Sequence, residues 1–155
     1  MTPLVSNLWP QFMVDPAFAA CFGQVIVEHA QMLRQERQVI FTLRSGAPLD
    51  KNLCARLLAS LQPDYEGFEL RIQNLFGYAM LDEAALRDLM EEMKRDGVPI
   101  NGFLDRCKIN IIGQKITIGV CHGTKFLQEM HFEKLLAERI AAHTGVTPQV
   151  DRKSV

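Results

Sequence analysis

The stretch KINIIGQKITIGV, residues 108–120, constrains the fold more than any other part of this sequence. Isoleucine alternates with polar residues on both sides of Gly113-Gln114, and this alternation has the period of a β-strand. Glycine at the first loop position suits a type II′ turn, which needs a positive φ there. The pattern predicts an antiparallel hairpin with one isoleucine face packed in a core. The pairs expected to face each other are Ile111–Ile116, Ile109–Ile118 and Asn110–Thr117.

The other face of the predicted hairpin is polar and basic. Asn110 and Thr117 lie on this face, with Lys108 and Lys115 on either side of them. A solvated surface is the common use of such a face, and a binding face is the functional alternative. The candidate residues for contact with nucleic acid or a partner protein, on and beside the hairpin, are Arg106, Lys108, Lys115 and Lys125.

The overall charge limits the kind of partner that this chain binds. The 155 residues carry a formal net charge of -1, with 48% hydrophobic and 23% charged residues. Because a dedicated nucleic-acid binder is usually strongly basic, nucleic-acid binding here requires a local basic patch. The start MTPLVSNLWPQF lacks the features of a signal peptide, and no apolar stretch is long enough to span a bilayer. We therefore expect a cytoplasmic protein without a membrane partner, whose four cysteines stay reduced.

Residues 1–77 predict a first small unit of helices and strands. Asp15-Pro16 marks the start of a short helix that ends at Gly23. Strands are predicted in QVIVEHAQML, QVIFTLRS and FELRIQ, which are rich in β-branched residues or alternate in polarity. Between the last two strands, GAPLDKNLCARLLASL places leucines at a spacing of four, and this spacing predicts a helix with one buried face.

Residues 78–155 predict a second unit with nearly the same order of elements. Asp82 caps a helix that runs to about Asp96, and Leu81 and Leu86 are placed for a hydrophobic staple. The repeated order predicts an α+β fold of two similar units, related by an old duplication. Each unit is expected to lay its helices on one face of a small, largely antiparallel sheet.

Three more elements are expected in the second unit. A short helical piece, NGFLDRC, precedes the hairpin, and one long helix runs from Thr124 to His143. VTPQV is a last strand at a sheet edge, because proline interrupts it. The residues predicted to bury the long helix are Phe126, Met130, Leu136 and Ile140.

Catalytic patterns in the sequence are weak. Residues 64–66 have the D-x-E spacing of a two-metal nuclease, but the flanking Pro63 and Gly67 predict a turn. Cys121-His122 places a thiol beside an imidazole at the end of a strand, where neighbouring side chains diverge. Residues 123–125 begin a helix. This start is either an ordinary helix cap or a place where the backbone amides bind an anion. Since no zinc spacing or phosphate-binding loop occurs, we expect no metal, cofactor or catalytic residue in this segment.

Two long stretches carry a family resemblance. They are FTLRSGAPLDKNLCARLLASLQPDYEGFELRI and INIIGQKITIGVCHGTKFLQEMHFEKLLAERIAAHTGV. The first stretch has a strand and a turn, followed by a leucine-rich helix. The second has a hairpin of the form G-x-K-[IL]-x-[IV], which residues 113–118 supply here, followed by a long helix and a terminal strand. Over about residues 20–150 this layout resembles the N-terminal region of PolC-type DNA polymerase III alpha subunits, the replicative polymerases of low-GC Gram-positive bacteria.

The resemblance implies a part of a much larger enzyme. Polymerases of that family are DNA-directed DNA polymerases with a 3'-5' exonuclease and a PHP phosphoesterase domain, and their motifs do not occur in these residues. The family's second N-terminal unit is similar to the K-homology-like folds of the clamp-loader tau subunit's last domain and of the DnaA N-terminal domain. Those folds are mainly protein-interaction modules. The nucleic-acid-binding form of the fold uses a G-x-x-G loop, and Gly119 and Gly123 have the wrong spacing for one.

Three functional hypotheses follow, in this order. The first is a non-catalytic interaction module of a replicative polymerase, which docks a replisome protein such as the clamp-loader tau subunit. The second is a module that binds single-stranded nucleic acid, including single-stranded DNA, through the basic face of the hairpin. The third is a small stand-alone enzyme that uses Cys121 or His122.

Overall fold

The computed structural model describes residues 3–100 and 102–154 of the chain. The chain divides into two compact units, Met1–Met80 and Leu81–Val155, a few residues after the 77/78 boundary expected from the sequence. Each unit combines helices with a three-stranded sheet, so the α+β fold in two units is confirmed. Within the described ranges, no helix is long and apolar enough to cross a membrane.

Aspartate side chains cap two helices of the first unit. Asp15 caps the second helix by accepting a hydrogen bond from the amide of Ala17 at 2.8 Å. Asp50 caps the third helix through the amide of Leu53 at 3.0 Å, so this helix begins after Asp50 rather than at the start of the stretch predicted from the sequence. The elements are α1 (Val5–Leu8), α2 (Pro16–Phe22), β1 (Ile26–Leu33), β2 (Gln38–Arg44), α3 (Lys51–Leu61) and β3 (Glu69–Leu75).

The sheet of the first unit has the order β1-β2-β3. Strands β1 and β2 are antiparallel and are joined by the turn at residues 34–37, whereas β3 lies parallel to β2. The parallel direction arises because α3 carries the chain back along the sheet before β3 begins. Alternate residues of β2 are buried in the core, as the period of two predicts; these are Val39, Phe41 and Leu43.

The second unit begins with the amphipathic helix that the sequence predicts. The carboxylate of Asp82 accepts a hydrogen bond from the amide of Ala85 at 2.8 Å, and Leu81 and Leu86 are both buried. The predicted stripe of Leu86, Leu89, Met90 and Met93 is buried as well. The elements are α4 (Glu83–Arg95), β4 (Lys108–Ile112), β5 (Lys115–Val120), α5 (Thr124–Glu129), α6 (Phe132–Thr144) and β6 (Gln149–Ser154).

The hairpin of the second unit has the predicted register. All three expected pairs, Ile111–Ile116, Ile109–Ile118 and Asn110–Thr117, face each other in the antiparallel ladder of β4 and β5. Gly113 has a φ of 57°, the positive value that the tight turn requires. Ile116 and Ile118 are fully buried, so the isoleucine face belongs to the core.

The last strand makes the second sheet mixed rather than antiparallel throughout. The strand order is β4-β5-β6, and β6 is parallel to β5. As in the first unit, helices connect the central strand to the third strand and return the chain to the starting end. The two sheets therefore share strand order and pairing directions. Strand β6 lies at a sheet edge as predicted, but it spans Gln149–Ser154, so only residues 149–150 of the predicted strand VTPQV belong to it and Pro148 precedes it.

Two of the helices predicted for the second unit are wrong. The single helix from Thr124 to His143 is divided into α5 and α6, because His131 adopts a left-handed conformation with φ 57°. In a continuous helix, residues five apart differ by about 140° around the axis, so Leu127 and Phe132 would point away from each other. The break lets both be fully buried.

The second wrong prediction is the helical piece before the hairpin. Residues 102–106 form turns instead of a helix, and Asn101, also in the predicted piece, lies outside the described residues. Backbone hydrogen bonds shape this segment, from Asp105 N to Gly102 O and from Cys107 N to Leu104 O. The second unit therefore runs in the order helix, hairpin, two helices and strand.

Candidate functional site

The four basic residues selected from the sequence lie at opposite ends of the second sheet. Lys108 begins β4 opposite Gly119, whereas Lys115 begins β5 beside the hairpin turn and opposite Ile112. Four residues of strand separate these two positions, or about 13 Å. We call the end where β4 begins and β5 ends the loop end, and the other end the hairpin tip.

Arg106 and Lys125 belong to the loop end. Arg106 lies in the turn that leads into β4, and Lys125 is the second residue of α5, which follows β5 after residues 121–123. Both side chains are exposed. The structure therefore brings Arg106, Lys108 and Lys125 to one end of the sheet and leaves Lys115 at the other.

Lys115, at the hairpin tip, forms an ion pair. Nζ of Lys115 lies 3.6 Å from Oδ2 of Asp151 on the neighbouring strand β6, and both side chains are largely exposed. An exposed pair of this kind adds little stability, but it lowers the local positive charge. The hairpin tip is consequently less attractive to an anion than the sequence predicts.

The loop end carries a further lysine that the sequence did not single out. Gly119 is the register partner of Lys108 on one side and of Lys153 on the other. The two lysines therefore share the outer face of the sheet, in one row across all three strands. Within residues 102–154, no carboxylate lies within ion-pair distance of Arg106, Lys108, Lys125 or Lys153.

The turn before β4 is fastened to α4. Nη2 of Arg87 donates a hydrogen bond to the carbonyl oxygen of Cys107 at 2.8 Å and lies 2.9 Å from Glu83. Cys107 is buried, and burial raises the pKa of its thiol despite the nearby charge of Arg87. Leu104 is buried as well, so this turn has a fixed position.

Three aromatic side chains meet at the loop end. The ring centroid of Phe103 is 5.8 Å from that of His122, with the planes 82° apart, and 5.5 Å from that of Phe126, with the planes 60° apart. Phe103 also lies against Gly123, which has a φ of 75°; a Cβ there would come within 2.6 Å of the ring. We call Phe103, His122 and Phe126 the aromatic cluster.

The aromatic cluster is open to solvent. Phe126 is 40% exposed, His122 is exposed and Phe103 is half-buried. The helical spacing predicted Phe126 as a core residue, but the break at His131 changes the face that α5 turns inward, and Leu127 is buried instead. No local pattern singled out Phe103, since its neighbour Gly123 is twenty residues away in the chain.

Arg152 fixes the start of α5. Its Nη1 donates a hydrogen bond to the carbonyl oxygen of Thr124 at 2.8 Å, and its Nε lies 2.6 Å from Glu133. The side chain of Arg152 is only 10% exposed. Because α5 has only six residues, few peptide dipoles add up to a positive charge at its N-terminus, and the anion interpretation of residues 123–125 gains no support.

The other two chemical patterns belong to different units. Cys121 and His122 lie in a bend after β5, and His122 packs its edge against Phe103. Residues 64–66 follow the end of α3, and the segment Gln62–Tyr65 forms a 3-10 turn. Across the described ranges, no group of three or more His, Cys, Asp or Glu residues is placed to hold a metal ion.

No family model, curated protein or solved structure matches this chain.

Proposed function

We propose that this chain is a non-catalytic interaction module of a PolC-type replicative DNA polymerase, which works in the cytoplasm and docks another replisome protein. The clamp-loader tau subunit is the proposed partner. Support comes from the family resemblance of the sequence and from the two α+β units, whose second member runs helix, hairpin, two helices and strand. The K-homology-like character of that unit remains a prediction.

The observation that carries the proposal is the open edge of the first sheet. Strand β1 lies at this edge, and residues 28–32 are all exposed. From residue 3 onward, the N-terminal segment pairs with the beginning of β1, through the bridge between Leu4 and Ile26. Within residues 3–100, the outer edge of β1 beyond Val27 faces no other strand.

An exposed strand edge offers unpaired backbone groups to an extended segment of a partner. A bulge between Val27 and His29 disturbs the first part of β1, but the register from Ala30 to Leu33 is regular. This regular part carries no charged side chain, and Met32 is 45% exposed. Charges are the common protection of a strand edge, so their absence here favours docking.

The test is titration of the full chain with purified tau subunit in a calorimeter. We expect binding, and amide hydrogen exchange should slow at residues 28–33 in the complex. Met32→Lys should weaken binding by about tenfold or more, since it removes an apolar contact at the interface and adds a charge. Met80→Lys is the matched control, because Met80 is 48% exposed and lies outside the strand.

Two results would contradict this docking mode. Absence of binding would reject tau as the partner, and equal effects of Met32→Lys and Met80→Lys would reject β1 as the docking edge. The polymerase parent has a separate test: the reading frame of the source gene beyond the codon for Val155. A frame that continues into exonuclease and palm motifs supports the parent, and a stop codon argues against it.

A second function, binding of single-stranded nucleic acid, is favoured by one observation. Arg106, Lys108, Lys125 and Lys153 gather at the loop end without a carboxylate partner among the described residues. Phosphate contacts from such residues make the affinity fall as salt rises. Binding of a fluorescent oligothymidylate should therefore weaken steeply with salt, and lack of binding at low salt would reject this function.

A further inference from the structure

We propose that the aromatic cluster of Phe103, His122 and Phe126 is a stacking platform for the bases of a single-stranded nucleic acid. This inference rests on the second function given above and adds the residues that would hold the bases. It also moves the contact surface from the basic face of the hairpin to the loop end of the second unit.

The first argument is the chemistry of the platform. Sequence-independent binding of single strands combines aromatic rings, on which bases stack, with cations that contact the backbone phosphates. Phe126 is 40% exposed although its ring touches Phe103, so part of its surface is free for a base. His122, whose ring also packs against Phe103, adds a second exposed ring.

The second argument is the charge around the platform. Lys125 is the chain neighbour of Phe126, and Arg106 lies in the same turn as Phe103. Both are exposed and unpaired among the described residues, whereas Lys115 at the hairpin tip pairs with Asp151. Charge complementarity therefore favours a polyanion at the loop end, and the exposed rings favour a polyanion that carries flat apolar groups.

The third argument is that the platform is held in place before any ligand binds. Arg87 fixes the turn of Phe103 to α4, and Arg152 fixes the first residue of α5. Gly123 lets Phe103 approach the backbone closely, since any Cβ there would collide with the ring. A rigid platform loses little conformational entropy on binding.

The experiment measures fluorescence polarisation of the full chain with labelled oligothymidylate of about 15 nucleotides, a length that spans one such site. A labelled abasic strand of equal length keeps the phosphates and removes the bases. We expect the chain to bind oligothymidylate more tightly than the abasic strand. Phe126→Leu should weaken binding of oligothymidylate by about 5- to 150-fold, the range for loss of one stacked base, and leave its salt dependence unchanged.

Matched variants separate stacking from charge and from general loss of apolar surface. Ile112→Ala removes an apolar side chain that is 69% exposed at the hairpin tip and should leave binding unchanged. Lys125→Gln and Arg106→Gln should each reduce the salt slope by about one, while Lys115→Gln should not. Phe126→Trp places a fluorophore in the second unit, and its emission should be quenched by oligothymidylate; the only native tryptophan, Trp9, lies in the first unit.

Each contrary result has a distinct meaning. Equal binding of the two strands, with no effect of Phe126→Leu, overturns the platform and leaves electrostatic nucleic-acid binding intact. Lack of any binding at low salt overturns both. If Phe126→Leu abolishes binding of the tau subunit but not of oligothymidylate, the cluster is a protein-docking site and the inference is wrong.

Discussion

His143 on α6 joins Glu92 on α4, with 3.1 Å between Nε2 of the imidazole and Oε2 of the carboxylate. Arg139 completes this link, because its Nη1 lies 3.2 Å from Glu92 and 2.6 Å from Asp96. The histidine is buried and the other side chains are at most about one quarter exposed. The contacts between the two longest helices of the second unit therefore include a partly buried network of charges.

Glu92→Gln is expected to weaken the second unit. The variant replaces the carboxylate that faces His143 by a neutral amide and leaves Arg139 paired with Asp96 alone. Loss of these charged contacts costs about 1–3 kcal/mol in the free energy of unfolding. Hydrogen exchange resolved by peptide should accelerate in α4 and α6 near neutral pH. Glu91→Gln, at the exposed neighbouring position, is the control; an equal effect of both variants would contradict the role of the network.

The same carboxylate makes the free energy of unfolding depend on pH. Burial alone would raise the pKa of Glu92, but the hydrogen bond from His143 and the charges of His143 and Arg139 outweigh burial and lower it below the ordinary 4.5. The stabilisation is thus present above about pH 4.5 and is lost as the pH falls through the lowered folded-state pKa. Urea unfolding as a function of pH should show this acid limb, which Glu92→Gln should flatten.

Gly123→Ala should destabilise the second unit more than Gly145→Ala. Both glycines have nearly the same left-handed backbone, with φ 75° and 76°, so alanine costs about 1–2 kcal/mol at either site. Only at Gly123 would the new Cβ also strike the ring of Phe103, whereas nothing lies within 4 Å at Gly145. Urea midpoints of the two variants measure the difference, and equal midpoints would show that Phe103 moves aside freely.

The four cysteines should differ widely in reactivity. Burial, with smaller contributions from Cys21 and Asp50, raises the pKa of Cys54 to about 12, so about one thiol in ten thousand is ionised near pH 8. Cys107 is buried as well, whereas Cys121 is exposed. Alkylation of the native chain followed by peptide mass spectrometry should label Cys121 first. Comparable labelling of Cys54 without unfolding would be evidence against the packing of α3.

Arg152→Leu should loosen α5 selectively. The variant leaves Glu133 without its cation and removes the hydrogen bond to the carbonyl of Thr124, at a cost of about 1–3 kcal/mol. We expect faster hydrogen exchange at residues 124–129 than in the native chain, with little change in α4. Lys153→Leu, one residue away on the outer face of β6, is the control and should behave like the native chain.

The sequence predicts the fold well where a short local pattern decides the structure. The register of the hairpin follows from Gly113 and four alternating isoleucines, and the start of α4 follows from Asp82 with its staple. The parallel direction of β3 and β6 depends on how the connecting helices return, which no local pattern specifies. Likewise, the apolar spacing across Met130 and His131 suits one long helix, and only the burial of both Leu127 and Phe132 in the core requires the break.

The candidate site was harder to predict than the fold. Arg106, Lys108 and Lys125 lie exposed at the loop end. The sequence pattern groups Lys115 with them because strand alternation reports the face of a sheet and not the distance along it. Lys153 was missed because its row is defined by the pairing of β6 with β5. Phe103 and Phe126 meet only after the chain has folded, since the contact joins a turn before the hairpin to a helix after it.

The parallel third strand has one more consequence. In each sheet the first strand begins at the end where the second and third strands finish. The chain thus enters the sheet of each unit and leaves it at the same end, and the turn between the first two strands lies at the other end. A peptide tag inserted between Gly113 and Gln114 would therefore lie away from the segments that lead into and out of the sheet. Entry and exit at the same end also suit tandem duplication, because a copied unit can be joined to its original without a long crossing segment.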